Sequence, residues 1–197
     1  MGSYSSAQSF IPTAAQAGLK EIELSRLALT KARNAEVKSF ARMMVSDHSK
    51  NHQELQTLAF SKNITIPGTT SMGASGTIGN ASGSGTTDNT AGAQGKNNTG
   101  TNPDNTTGSG NNPGTTGTMW NAPSLAADLA SLQNLSGSEF DRRYIALMVQ
   151  DHEQAVALFT GASQSSDSQV KAYAVKSLPV LKSHLASARR INNKLNQ

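Results

Sequence analysis

Four histidines and a few carboxylates are the side chains in this sequence whose types and spacing allow chemistry. Cysteine is absent, which excludes disulfides, thiolate metal sites and cysteine nucleophiles. His48 and His52 stand four residues apart, so both imidazoles project from one helix face and make a two-nitrogen clamp for zinc or copper. His48 and His152 sit in matching segments, Met44-Val45-Ser46-Asp47-His48 and Met148-Val149-Gln150-Asp151-His152. Each histidine follows an aspartate directly and a core methionine by one helical turn. Glu21 shares a small-residue stripe with Gly18, Ser25 and Ala28, where a first helix can approach its neighbours closely. Glu21 or Glu23 can then meet His48 or His152 inside a bundle.

Two roles follow for these residues. In one, His48, His52, His152, Glu21 and Glu23 are metal ligands, with zinc, copper or iron as the ion. In the other, which the residue types favour, there is no cofactor, and Asp47, His48, Asp151, His152 and His184 form a structural polar core of hydrogen-bonded pairs. A di-iron oxidase centre is not expected, because it needs a glutamate three residues before each histidine, where Val45 and Val149 stand. No Gly-x-Ser-x-Gly elbow at a strand-to-helix turn suggests a hydrolase. No catalytic constellation emerges, and enzymatic activity is not expected.

The elements that must position these residues are all helical. Residues 12–33 are rich in Ala, Leu, Lys and Glu, with Pro12 suited to a first turn. Asn34 offers an N-cap to a second helix over about 35–62, so the two are antiparallel neighbours. In that helix Val37, Ala41, Met44, His48, Asn51, Leu55 and Ala59 step by three or four along one face. A short helix over about 123–135 carries Leu125, Leu129 and Leu132. Ser136 and Glu139 have capping-box spacing and open a helix over about 138–161, whose stripe is Ile145, Met148, His152, Val156 and Phe159. A last helix spans about 167–195, with Pro179 kinking rather than ending it, because the apolar stripe continues to Ile191. The expected fold is an all-α, ferritin-like, up-down four-helix bundle with an extra short helix, a single domain over 1–197 interrupted between the two helix pairs.

The interruption is the stretch 68–118, rich in Gly, Asn, Thr and Ser. It holds 13 of the 17 glycines, and its charged residues are Asp88, Lys96 and Asp104 alone. Such a composition cannot bury enough apolar surface to offset the entropy of ordering it in isolation. Sparse charge makes it adhesive rather than self-repelling, so self-association through 68–118 is a candidate partner interaction, beside the plain role of a flexible spacer. Asn80, Asn97 and Asn105 within it lie in N-glycosylation triplets, which leaves glycans possible.

The paired Asp-His motifs and their surroundings resemble the domain of unknown function 4142 (DUF4142) family of exported, ferritin-like bacterial proteins. The residues that carry the resemblance begin with Ala17 to Leu24 and Leu27-Ala28-Leu29, and continue with Val37 to Met44 and Asp47-His48. In the second half they are Phe140 to Tyr144, Met148, Asp151-His152, Leu178-Pro179 and His184-Leu185. The resemblance implies a periplasmic or cell-surface protein and no established activity. It also implies a far shorter link than 68–118 between the helix pairs.

Charge and hydropathy exclude other classes. The formal charge is +4 with both signs intermixed. The densest basic run, Lys182 to Lys194, lies near a helix C-terminus, where cations complement the dipole. No nucleic-acid partner is expected from that pattern. No apolar run approaches the roughly 20 residues needed to cross a bilayer, so no transmembrane segment is expected. Met1-Gly2-Ser3-Tyr4 lacks the basic and apolar regions of a signal peptide, so a native signal peptide is expected to be absent from this chain. The combined expectation is an exported structural or interaction protein, possible self-assembly running through the insert, with a metal-binding bundle as the alternative.

Overall fold

The structure, a computed structural model, describes residues 6–66 and 122–197, and its regular elements are helices. In chain order they are α1 (Ala7–Lys31), α2 (Ala35–Ser61), α3 (Ala122–Gln133), α4 (Gly137–Ala162) and α5 (Ser168–Leu195). No strand occurs among the described residues. The stretch 68–118, with the triplets at Asn80, Asn97 and Asn105 and the surface expected to self-associate, lies outside them.

Local chemistry sets most of the boundaries. α1 begins at Ala7 rather than at Pro12, because Ser6 caps it by accepting from Ser9 N–H and because the extra turn buries Phe10 and Ile11 completely. α2 starts where Asn34 Oδ1 accepts the backbone N–H of Glu36 and Val37. It ends at Ser61, and beyond the C-cap Lys62 the chain turns off at Asn63, which takes a left-handed φ of 53° while Ile64 N–H reaches back to the Ala59 carbonyl. The capping box expected at Ser136 and Glu139 does not form, since the Ser136 hydroxyl makes no cap hydrogen bond. Gly137 turns the chain instead, with a φ of 59° that other residues rarely adopt. Asp167 caps α5 through Gln169 and Val170, and α5 runs through Pro179 without ending.

α1 packs along α2 and α4 along α5, while α1 also meets α4 and α2 meets α5. The short loops at 32–34 and 163–167 make each of the first two pairs an antiparallel hairpin. Asp141 of α4 joins the hairpins by accepting the backbone N–H of Arg33 and Asn34, so a buried carboxylate serves the orphan donors at the start of α2. The basic face of α5 is paired: Arg189 meets Glu153 at 2.7 Å, while Arg190 and Lys194 both meet Glu36. Among the described residues, no helix is long and apolar enough to cross a membrane.

The core falls into two apolar halves. One gathers Phe10, Ile11, Leu55, Phe159, Val170 and Leu181; the other gathers Leu24, Phe40, Met44, Phe140, Tyr144 and Ile191. Each such large side chain, fully buried, contributes roughly 1.5–3 kcal/mol. Between the two halves, at mid-height on the four long helices, lies a buried polar layer of Lys20, Glu21, His48, Asp151, His152 and His184.

Candidate metal centre

Each long helix delivers to the centre of this layer one residue at a position its apolar pattern would otherwise fill. Glu21 follows Ala14 and Ala17 on α1, His48 follows Met44 on α2, His152 follows Met148 on α4, and His184 sits between Leu181 and Ala188 on α5. Relative exposure is 1% for Glu21, 4% for His48, 0% for His152 and 2% for His184. The three imidazoles form a nearly equilateral triangle: ring centroids are 5.5 Å apart for His48 and His152, 5.4 Å for His48 and His184, and 5.5 Å for His152 and His184. One nitrogen from each ring lies within 4.8 Å of the other two.

The hydrogen bonding assigns the two nitrogens of each ring different roles. His48 Nδ1 lies 3.0 Å from Glu21 Oε2. His152 Nδ1 donates to the Met148 carbonyl at 2.9 Å and passes 3.2 Å from Glu21 Oε1, which accepts no hydrogen bond. His184 Nε2 lies 3.1 Å from Asp47 Oδ2. All of these partners are acceptors, so a proton sits on the partnered nitrogen of each ring. The remaining nitrogens, His48 Nε2, His152 Nε2 and His184 Nδ1, are buried without a hydrogen-bond partner.

Burial and mutual charge shift these groups in different directions. Burial would push the Glu21 carboxyl up, but His152 and His48 outweigh it and bring it down to about 2, so Glu21 is an anion. Burial also works against the charged form of His48, yet Glu21 reverses that and raises its pKa. Burial lowers His152. Burial, reinforced by the neighbouring His48 and His152, lowers His184 to about 4. The two latter rings are therefore neutral near pH 7, each with a lone pair to offer.

A second buried group flanks the centre. Lys20 Nζ lies 2.6 Å from Asp128 Oδ2 and 2.9 Å from Asp151 Oδ1, tying α3 and α4 to α1. Burial pushes Asp151 up to about 6 against the pull of Lys20. On the other side, a cavity of ≈ 20 Å³ adjoins Glu21 and His48 and is also lined by Gly18, Asn51 and His52. It has room for about one water molecule.

The structure thus brings His48, His152 and Glu21 together and adds His184, which the sequence placed only among the structural polar residues. It does not bring in the other two proposed ligands. His52 stands one turn beyond His48, half-exposed at the cavity, with burial lowering its pKa. Glu23 faces away and pairs with Arg26 at 2.7 Å on the surface. Of the expected Asp-His pairs, Asp47 serves His184 rather than its neighbour His48, and Asp151 serves Lys20. Asp128 and Lys20 carried no sequence signal beyond their charge.

Fold and site together define a helical-bundle protein with a buried three-histidine cluster held by carboxylates. The chain belongs to the DUF4142 family, a domain of unknown function whose family model matches residues 2–95 and 119–191. No curated protein matches it in sequence. Solved structures that share its fold include CopM in the Cu(II)-bound form, 17% identical with a TM-score of 0.60, covering 95% of this chain and 96% of that one. CopM in the Ag-bound form is 14% identical with a TM-score of 0.57, covering 95% of this chain and 96% of that one. A DUF305 protein from Streptomyces coelicolor, predicted to be secreted, is 12% identical with a TM-score of 0.60, covering 98% of this chain and 95% of that one. At these identities the likeness establishes the fold.

Proposed function

We propose that the protein binds a single transition-metal ion, copper foremost, between His48, His152 and His184. The observation that carries this reading is that each of the three clustered rings keeps one buried nitrogen without a hydrogen-bond partner, while one nitrogen from each ring lies within 4.8 Å of the other two. Unpartnered ring nitrogens in a dry interior are costly unless something electrophilic joins them. An all-imidazole set without thiolate suits copper, zinc or nickel. Glu21, Asp47 and the Met148 carbonyl fix the tautomers from outside, as outer carboxylates and carbonyls do for metal-bound histidines. The copper- and silver-bound forms of CopM, a protein of the same fold, favour copper within that group.

The role is binding without turnover, since the adjoining cavity of ≈ 20 Å³ has no room for an organic substrate. We place the protein outside the cytoplasm, in the periplasm or at the cell surface. The secreted character predicted for the DUF305 neighbour supports that placement.

A second reading is a purely structural polar layer in an exported interaction protein that self-associates through 68–118. It is favoured by Glu21, which approaches both His48 and His152 and so links α1 to α2 and α4 without any ion. Copper titration of the metal-free protein separates the two. One equivalent bound by the wild type, and binding lost in His184→Ala, supports the metal reading. Equal affinity in the variant contradicts it.

A further inference from the structure

We propose that the opening at Gly18, Asn51 and His52 is the route by which the ion reaches the histidine centre, and that His52 is the first side chain to hold it. This rests on the metal-binding reading above and adds how the site is filled.

His48, His152 and His184 are each less than 5% exposed, so an ion arriving from water needs a passage to them. The cavity of ≈ 20 Å³ supplies one, reaching from half-exposed Gly18, Asn51 and His52 to buried Glu21 and His48. Gly18 keeps it open. A Cβ built on Gly18 would have His48 Nδ1 as its nearest neighbour at 4.0 Å, so a methyl fits, whereas a longer side chain would project into the space beside His48. His52 lines the same cavity, and its Nδ1 is buried without a hydrogen-bond partner. One helical turn separates His52 from His48, a rise of about 6 Å. That is near enough for a hand-over, and the three ring nitrogens gathered within 4.8 Å of one another belong to His48, His152 and His184. Glu21, an anion at the inner end of the cavity, draws a cation inward.

Lys20, Asp128 and Asp151 close the approach along α3 with a buried cation. A cation entering there would meet Lys20 first.

The test separates rate from affinity. Cu(II) is mixed with the metal-free full chain in a stopped-flow instrument, with quenching of intrinsic fluorescence as the signal, and equilibrium affinity is measured by competition with a chromophoric chelator. His52→Ala and Gly18→Leu are expected to slow association about tenfold while leaving Kd within about twofold of wild type. Gly18→Ala is expected to match wild type in both. Unchanged association in His52→Ala overturns the route, whether or not Gly18→Leu folds. A Kd for His52→Ala weakened as far as that of His184→Ala overturns it too, because His52 would then be a ligand of the final site. Unaltered Kd in His184→Ala strikes at the metal reading itself and not merely at the route.

Discussion

Glu21 Oε2 and His48 Nδ1 lie 3.0 Å apart, and the opposite nitrogen of the same ring is buried with no partner. The carboxylate therefore fixes which nitrogen of His48 carries the proton and which is left without a hydrogen-bond partner. Its charge also strengthens the ring as a donor. Glu21→Gln keeps the shape and a hydrogen-bonding group but removes that charge. Copper affinity in this variant is expected to fall about 10–100-fold, the usual effect of removing an outer partner of a metal ligand. Competition titration checks it; an affinity equal to wild type would mean that Glu21 does not act on the ion through His48.

Lys20 is the cation between Asp128 and Asp151, with both contacts under 3 Å and its side chain 8% exposed. Lys20→Met retains the aliphatic length and leaves two carboxylates facing each other in a buried space. A loss of about 3 kcal/mol is expected at neutral pH, as for other broken buried pairs. Adding Asp151→Asn to that variant should restore part of the loss. Urea denaturation of the metal-free proteins measures both. A cost below about 0.5 kcal/mol for the single variant would place the cluster among surface-like pairs.

Asp167 gives a pH dependence of known sign. Lys62 Nζ, at 2.5 Å, and the N–H of Val170 hold its carboxyl below the ordinary value of 3.8. A folded pKa below the unfolded one means that the ion pair stabilises the protein above about pH 4, and that this contribution fades as pH falls through the lowered pKa. Asn caps helices as well as Asp does, so Asp167→Asn removes the charge and keeps the cap. The variant should be less stable than wild type at pH 7 by less than about 1 kcal/mol, since the pair is partly exposed. The difference should shrink between pH 7 and pH 2. Thermal denaturation at the two pH values reads it, and a difference that grows on acidification would reverse the assignment.

Much of this arrangement is legible in the sequence. The stripes of α2 and α4 placed His48 and His152 inside the bundle, because each occupies a core step after a methionine. Glu21 was found from the small residues around it, which announce close helix approach. His184 was harder. Its signal is the buried series Val170, Ala174, Ser177, Leu181, His184, Ala188 and Ile191, an unbroken alternation of four- and three-residue steps. Following Leu178 and Leu185 instead, both more hydrophobic, draws the stripe one residue aside and leaves His184 as a mere neighbour of the core. His52 and Glu23 lie outside the three-ring cluster. One turn along α2 from His48, His52 lines the adjoining cavity, and two residues round α1 from Glu21, Glu23 pairs with Arg26 at the surface. The pairing of Lys20 with Asp128 depends on how α3 docks against α1, which no local pattern encodes.

The central claim is that His48, His152 and His184 together hold one metal ion. X-ray absorption spectroscopy of the protein loaded with one equivalent of copper tests it most directly. A first shell containing three imidazoles, reduced when any one of these histidines is changed to alanine, is the predicted result. A shell without imidazole, or one that persists unchanged in the triple alanine variant, would contradict it.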